Sequence, residues 1–208
     1  MNKGVVSVLV AYLIWGLYPF YFHAMQHVAP AEIVIHRVLW TFALLAVYLF
    51  CSRRWRWIQK AVTDRRTVAV FLMSSVLITA NWSTYTYAIV TNQTLEASLG
   101  YFMNPLVSVL LGTVFLKEKL NKAQMLAIVF ACAGVMWVTF KQGEFPALGL
   151  TLALSFGFYG LVRKMAPLGS LEGLTLETAF AFPVALLATF YFAGNGDLTF
   201  VHGTSWDK

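Results

Sequence analysis

Two charged side chains inside apolar segments are the residues of this sequence that could do chemistry. Arg37 follows the start of an apolar run near residue 32, and Glu177 follows the start of another near residue 173. A charge at the centre of a bilayer costs on the order of 3 kcal/mol or more, so it normally faces a cavity or a partner. The planar guanidinium of Arg37 suits a carboxylate or phosphate group of a ligand. Glu177 could pair with a cation, take up a proton or contact an amine.

Each of these charges also has a simpler interpretation, which the sequence leaves open. Arg37 is close enough to the end of its run for the charged head to reach the lipid headgroups while the stem stays in the apolar layer. Glu177 could likewise be an interfacial carboxylate near the end of its run. His36, the neighbour of Arg37, is interpreted as a packed or interfacial histidine.

A polar and aromatic stripe runs along the segment ITANWSTYTYAI, residues 78–89. Asn81 and Tyr85 are spaced i, i+4 and Trp82 and Tyr85 are spaced i, i+3, so the three side chains share one helix face. Such a face suits an apolar or amphipathic organic solute. Hydrogen bonding and packing between helices is the alternative interpretation of the same residues.

The segment LEASLGYFMNPLVSVLLGTVFLKEK, residues 95–119, is apolar but carries helix-weakening residues in its first half. Pro105 leaves the carbonyl group of Tyr101 without its usual hydrogen bond. In lipid, such a carbonyl is tolerated only where protein or a wet cavity satisfies it. We therefore predict a kinked helix half that faces a cavity, in which Gly100 admits a neighbouring backbone and Asn104 reaches that helix or a ligand. A packing kink without a ligand is the alternative.

The elements that must position these residues are membrane-spanning helices. Of the 208 residues, 59% are hydrophobic and only 12% are charged, whereas soluble domains average roughly 25% charged residues. The apolar runs are long enough to cross a bilayer, which takes about 20 residues. We predict an all-α polytopic membrane protein with spans at residues 4–23, 32–51, 68–90, 95–116, 122–140, 146–162 and 173–193, followed by a polar tail from Gly194.

The basic residues predict the orientation of these spans. All of the 15 lysines and arginines except Arg37, Lys141 and Lys208 fall at the N-terminus or in alternate loops, and half of these twelve lie in the loop 52–67. Lysine and arginine stay preferentially in the cytoplasm, so the N-terminus is predicted to be cytoplasmic. On this topology Glu96 stands at the N-terminus of a helix that enters from outside, where the helix dipole favours a carboxylate.

The net charge of +6 is explained by topology and by contact with anionic lipid headgroups, and it requires no nucleic-acid partner. Cys51 and Cys132 are the only cysteines, too few for a structural zinc site, which takes about four nitrogen or sulfur ligands. The common nucleophile, metalloprotease and phosphate-loop motifs are absent. We therefore predict no catalytic residue, no metal site and no cofactor; a homo-oligomer is compatible with the sequence.

Two short matches indicate an internal repeat. IWGLY at 14–18 resembles SFGFY at 155–159, and EIVIHR at 32–37 resembles EGLTLE at 172–177, at nearly the same offset. A repeat unit with an odd number of spans enters the membrane upside down in its second copy, as in many secondary transporters. The predicted division is a first five-helix repeat at 1–141 and the start of a second, inverted repeat at 142–208.

The same segments carry a resemblance to a known family. IWGLYPFYF, EIVIHRVLW, LEASLGYFMNPLVSVLLGTVFLKEKL and ALSFGFYGLVRK resemble the RarD branch of the EamA family, within the drug/metabolite transporter superfamily. The resemblance implies ten helices in two inverted five-helix repeats, in a bacterial inner membrane, working as a secondary carrier of a small organic solute. The resemblance does not indicate which solute is the substrate. Because seven spans are predicted, the chain is expected to be truncated relative to that fold.

The expected function is therefore that of an inner-membrane permease or exporter working by alternating access between the repeats. The alternative is a truncated, non-transporting membrane protein that acts as an assembly or regulatory partner. Glu177 is the candidate proton or cation site. The residues expected to line the substrate path are Arg37, Asn81, Trp82, Tyr85, Gly100, Tyr101, Asn104, Pro105 and Glu177.

Overall fold

A computed structural model describes residues 3–53, 55–143, 145–196 and 198, and every regular element within these ranges is an α-helix. Seven of the helices coincide with the predicted spans to within about three residues at each end, the usual uncertainty of helix boundaries. Arg54, Lys208 and nearly all of the predicted polar tail lie outside the described residues. The helices are α1 (Lys3–Ala24), α2 (Pro30–Ser52), α3 (Arg56–Thr63), α4 (Arg65–Val90), α5 (Thr94–Phe115), α6 (Lys122–Gln142), α7 (Ala147–Met165) and α8 (Ser170–Asn195).

Six of the described helices are long and apolar enough to cross a membrane, namely α1, α2, α4, α5, α6 and α8. The predicted all-α polytopic membrane protein is thus confirmed. The helix α7 is not among the six, and Arg163 and Lys164 lie in its last turn. It packs instead along α4 and α5, so much of its surface faces protein and need not be apolar enough for lipid.

The stretch 52–67 was predicted to be a loop, and this is wrong for its central part, which forms α3. One side of this short helix is apolar: Ala61 is buried against Phe71 and Leu176. Arg56, at its start, is exposed. The loop prediction failed because the high density of arginine hides an apolar face that is only one or two residues wide.

The helix α4 begins at a side-chain cap. The carboxylate of Asp64 accepts hydrogen bonds from the backbone N–H groups of Arg66 at 3.3 Å and Thr67 at 3.1 Å, and from the hydroxyl group of Thr67. This is the usual way in which the first N–H groups of a helix are satisfied. The hydrogen bonds from Thr67 hold the pKa of the Asp64 carboxyl below its ordinary value.

The helix α4 is the centre of the bundle, because α1, α2, α3, α5, α7 and α8 all contact it. Among the described helices, α5 and α7 share the most extensive contact. A Cβ atom on Gly100 would lie 2.9 Å from the carbonyl oxygen of Gly149, and one on Gly157 would lie 2.6 Å from a methyl group of Val107. Small residues at a membrane helix interface allow such backbone contact.

Contacts between loops divide the molecule into two ends. Lys164 forms an ion pair with Glu118, which brings the loop after α5 to the last turn of α7; we call this the basic end, and α3 lies on the same side. The side-chain amide of Gln26 donates a hydrogen bond to Asn92 at 2.8 Å, which joins the loops after α1 and α4 at the opposite end. This arrangement agrees with the alternation of basic and non-basic loops in the sequence.

Candidate functional site

The guanidinium group of Arg37 lies on aromatic rings rather than in lipid or against an acid. Its central carbon is 4.0 Å from the centroid of the Trp82 ring and 6.0 Å from that of Tyr18. A cation over an aromatic face is attracted by the negative charge density of the ring, by about 2 kcal/mol or more when water is excluded. The helices α1, α2 and α4 supply these three residues, so Arg37 fixes their relative position.

Further aromatic residues extend this group towards α5. Tyr85 is buried, and its ring meets those of Phe22 and Tyr101 edge to face, with centroids 5.8 Å apart in both cases. Tyr101 is 54% exposed, so the group is open on the α5 side. We call Tyr18, Arg37, Trp82, Tyr85 and Tyr101 the Arg37 cluster. The charged or hydrogen-bonding groups it offers are one guanidinium, the tyrosine hydroxyls and the indole N–H of Trp82.

Arg37 has no acidic partner in the described part of the chain. No described carboxylate oxygen lies within 4.0 Å of its guanidinium nitrogens, a distance that the ion pairs of Arg163 and Lys164 do satisfy. The ring contacts of its guanidinium are with Trp82 and Tyr18. The cluster therefore holds one formal positive charge among neutral rings.

The second charged residue predicted from the sequence, Glu177, lies in a separate group at the basic end. Its side chain is 1% exposed. One carboxylate oxygen accepts a hydrogen bond from the hydroxyl of Ser74 at 2.7 Å, and the other accepts one from Tyr159 at 3.3 Å. The hydroxyl of Ser75 donates to the backbone carbonyl of Glu177 at 2.6 Å.

Arg163 completes this group as the counter-charge of Glu177. The distance from Nε of Arg163 to Oε1 of Glu177 is 3.6 Å, and the guanidinium also lies 5.3 Å from the centroid of the Phe71 ring. We call Ser74, Ser75, Tyr159, Arg163 and Glu177 the Glu177 cluster. It joins α4, α7 and α8, just as the Arg37 cluster joins α1, α2, α4 and α5.

Sequence reasoning missed Arg163, because it was counted among the basic residues that set the topology. A signal was present: a buried carboxylate needs a nearby cation, and α7 ends with Arg163 immediately before the turn into the helix that carries Glu177. Gly173 then leaves room for the long side chain of Arg163 between the helices.

Asn81 uses its side-chain amide to connect two helices. The amide nitrogen donates to the carbonyl oxygen of Leu152 and to the hydroxyl of Ser155, both at 3.1 Å. The side chain is buried. The side chain of Asn81 therefore contacts α7, whereas Trp82 and Tyr85 of the same helix belong to the Arg37 cluster.

The other predicted path residues lie along α5. Gly100 is buried against α7, which is the close backbone approach expected of it, and Tyr101 belongs to the Arg37 cluster. Asn104 is half-buried and its side-chain oxygen accepts a 3.4 Å hydrogen bond from Ser108. Pro105 is exposed inside a helix that continues past it to Phe115. Asn104 and Pro105 follow Tyr101 at i+3 and i+4 spacing, so they share its side of the helix.

Glu96 lies in the first turn of α5, as predicted, but its carboxylate accepts a hydrogen bond from another helix. It accepts a hydrogen bond at 3.0 Å from the backbone N–H of Leu148, in the first turn of α7. A helix N-terminus favours a negative charge and has N–H groups without partners. Glu96 thus connects the first turns of α5 and α7.

Neither charged cluster coincides with the main surface cavities. A cavity of about 470 Å³ is lined by Arg56, Gln59, Lys60, Thr63 and Asp64 beside α3, and one of about 240 Å³ lies between α2 and the start of α8. Among the residues that the structure describes, no group of three or more histidine, cysteine or acidic side chains could hold a metal ion. The chemistry available at the two clusters is therefore ion pairing, hydrogen bonding and stacking.

Comparison with known proteins decides the family. Residues 2–140 match the model of the EamA-like transporter family. This chain belongs to the EamA-like transporter family. It is 42% identical to the uncharacterized transporter YojE of Bacillus subtilis, over 89% of this chain and 63% of that protein. It is 40% identical to protein RarD of Salmonella typhimurium and 39% identical to protein RarD of Escherichia coli, over 93% of this chain and 66% of each relative.

The chain of this EamA-like protein spans a little under two thirds of the length of these relatives. The RarD resemblance read from the sequence is thereby confirmed over most of the chain. No solved structure matches it.

Proposed function

We propose that this protein is a secondary transporter that moves a small organic solute across the bacterial inner membrane. Its membership of a transporter family and its polytopic helical fold support this function. The basic end, which carries Arg56 and Lys60 of α3, would face the cytoplasm together with the N-terminus. The basic residues of α3 would also contact anionic lipid headgroups there.

The proposal rests mainly on the contacts of the Arg37 guanidinium group. An arginine at membrane depth is normally neutralised by an acid or held in a polar cavity. In the described residues Arg37 instead stacks on Trp82 and meets no carboxylate, so its outward N–H groups are available to an anion. We infer that Arg37 attracts a carboxylate or phosphate group of the solute.

The aromatic residues of the Arg37 cluster would hold the apolar body of that solute. Tyr101 is exposed beside buried Tyr85, and Asn104 and Pro105 continue the same side of α5. Gly100 and Asn81, whose own contacts are with α7, would shape the path by setting where α4 and α5 lie. This division of roles fits ligand sites in general, which are mostly apolar with a few placed polar groups.

A parallel between the clusters supports the inverted repeat at 1–141 and 142–208. In the first sequence match Tyr18 corresponds to Tyr159, and in the second Arg37 corresponds to Glu177. Tyr18 lies against Arg37, and Tyr159 lies against Glu177. Corresponding residues on α1 and α7, and on α2 and α8, therefore meet in both copies, as alternating access between inverted repeats would require. Glu177 is the proposed proton or cation site of the second copy.

The test is solute flux by the whole protein reconstituted in liposomes. The solutes are a panel of small aromatic and aliphatic carboxylates, each paired with its uncharged amide, with and without a pH gradient. Losing a hydrogen bond to a charged group costs about 1.5–3 kcal/mol, so Arg37→Gln should lower carboxylate flux about 10- to 100-fold. The flux of Arg37→Lys should lie between those of the parent and Arg37→Gln, because lysine keeps the positive charge but lacks the flat stacking surface of arginine.

The matched control is Arg66→Gln, which removes a positive charge from an exposed position at the basic end. It should leave the flux unchanged. Full carboxylate flux in Arg37→Gln would contradict the assigned role of Arg37. No flux of any compound by a folded protein would count against the carrier function itself.

A further inference from the structure

The Glu177 cluster connects α4, α7 and α8 at the basic end, away from the Arg37 cluster. We propose that the ion pair between Arg163 and Glu177 is a latch that keeps this end closed, and that protonation of Glu177 releases it. The inference rests on the proposed carrier function and names the residues through which a bound proton would produce movement. Arg163 and Gly173 are positioning residues in this device.

The latch joins three helices through the side chain of Glu177. Glu177 on α8 reaches Ser74 on α4, and Arg163 on α7 reaches Glu177. Beside them Leu176 packs on Phe71 and on Ala61 of α3. Moving the start of α8 away from α4 therefore requires that the hydrogen bonds from Ser74 and Ser75 to Glu177 break and that this small apolar cluster open.

The charge state of the latch depends on few groups. From α7, Arg163 and Tyr159 face the carboxylate; from α4, it meets the hydroxyls of Ser74 and Ser75. The helix α2 also packs on α8 but, in the described ranges, brings no charged side chain within ion-pair distance of Glu177. One cation thus balances one carboxylate. A proton from water at the basic end would neutralise Glu177 and leave Arg163 with a net positive charge.

The geometry of the pair suits release. Its nitrogen–oxygen distance of 3.6 Å is longer than the 2.7–2.9 Å typical of a strong charge-assisted hydrogen bond. The Nη1 atom of Arg163 is buried without a hydrogen-bond acceptor, while Nη2 donates to the carbonyl of Gly169 at 3.1 Å. Since Arg163 lies in the last turn of α7, its stem is long enough for the head to reach water or headgroups once the attraction of Glu177 is lost.

Gly173 makes this position of Arg163 possible. A Cβ atom on Gly173 would lie 1.7 Å from Nη1 of Arg163, so any other residue must push the guanidinium out. Gly173→Ala therefore opens the latch without changing a charge. Gly160, on α7, has no atom within 4 Å of the corresponding position, and Gly160→Ala is its matched control.

The experiment measures how fast a cysteine at Ala61 reacts with a maleimide. Ala61 is 4% exposed and lies in the apolar cluster that the latch covers. The whole protein carries Ala61→Cys, with Cys51 and Cys132 replaced by serine, and is held in lipid nanodiscs so that the reagent reaches both ends. Glu177→Gln and Gly173→Ala should each raise the rate about tenfold or more, the effect expected for losing one charge-assisted contact.

Gly160→Ala and Glu172→Gln, which alters a carboxylate outside the latch on α8, should leave the rate unchanged. As the pH is lowered, the rate of the parent should approach that of Glu177→Gln measured at the same pH. Comparison at one pH removes the pH dependence of the thiol itself. This convergence is a readout that a purely structural ion pair would not give.

If Glu177→Gln and Gly173→Ala both fold and both react with the maleimide at the rate of the parent, the latch is overturned. If the ratio of the parent's maleimide reaction rate to that of Glu177→Gln does not change with pH, release by protonation is overturned. If Gly173→Ala fails to elute as a single folded species, Glu177→Gln alone decides, because glutamine keeps the shape and hydrogen bonds of a neutral Glu177. The measurement needs no solute, so its failure and a failure of solute flux are separate results.

Discussion

Replacing Gly100 by alanine tests whether α5 and α7 are held by direct backbone contact. The added Cβ atom would lie 2.8 Å from Cβ of Leu152 and 2.9 Å from the carbonyl oxygen of Gly149. Ordinary contacts begin at 3.4 Å, so the helices must separate locally by about 0.5 Å (3.4 minus 2.9 Å). The atoms in the way belong to backbone and to a Cβ, which cannot rotate aside. Forcing one extra carbon into a packed interface costs about 1–3 kcal/mol.

A second effect of the same substitution has the opposite sign. Alanine stabilises a helix by roughly 0.5–1 kcal/mol relative to glycine. Gly160→Ala carries only this gain, because its Cβ would meet nothing within 4 Å. The free energy of unfolding of Gly100→Ala should therefore fall below that of Gly160→Ala by about 1–3 kcal/mol. Unfolding of both variants in mixed detergent micelles, followed by tryptophan fluorescence, measures this difference. Equal stabilities would refute the close contact between α5 and α7.

Two other substitutions test local stabilising groups. Asn81→Leu should lower the free energy of unfolding by about 0.6–1.7 kcal/mol, the average to the maximum measured for hydrogen bonds between membrane helices. The control is Thr84→Val, which removes only a hydrogen bond within α4 and should lower the free energy of unfolding by less. Equal losses in the two variants would argue against the hydrogen bonds from Asn81 to α7. Asp64→Ala should lower the melting temperature at neutral pH. Because the pKa of Asp64 is depressed in the folded protein, its stabilisation is present above its unfolded pKa and is lost as the pH falls through the folded one. The melting curves of parent and variant should converge in acid, and a constant gap would contradict the cap.

Long apolar runs and the distribution of basic residues were sufficient to predict the helices and the two ends. A span of about 20 apolar residues is specified locally, by its own composition, and so the seven predicted spans coincide with helices. The short helix α3 could not be found in this way, because its stability comes from the packing of Ala61 on residues of α4 and α8. Its own eight residues are too few and too polar to specify a span.

The individual polar residues were identified from the sequence, but their partners were not. Arg37 and Glu177 were singled out because charge is rare at membrane depth, and both proved to lie in clusters. Whether Asn81 meets a ligand or another helix depends on the rotation of α4 about its axis, which only the packing of α7 determines. Glu96 was correctly placed at a helix start, yet the N–H group it accepts from belongs to Leu148 of a different helix. Such partners are properties of the tertiary structure.

The central position of α4 has a consequence for how the protein is made. Its polar residues enter the membrane well before their partners: Ser74 precedes Glu177 by 103 residues, or roughly 5 to 20 seconds of synthesis at 5–20 residues per second. During that interval the hydroxyl of Ser74 can turn to the carbonyl of Phe71 within its own helix, 3.2 Å away. The amide of Asn81 has no such local acceptor in the structure and stays unsatisfied until α7 arrives. The acceptors of this amide, the carbonyl of Leu152 and the hydroxyl of Ser155, are supplied only when α7 is inserted, which favours α7 as a neighbour of α4.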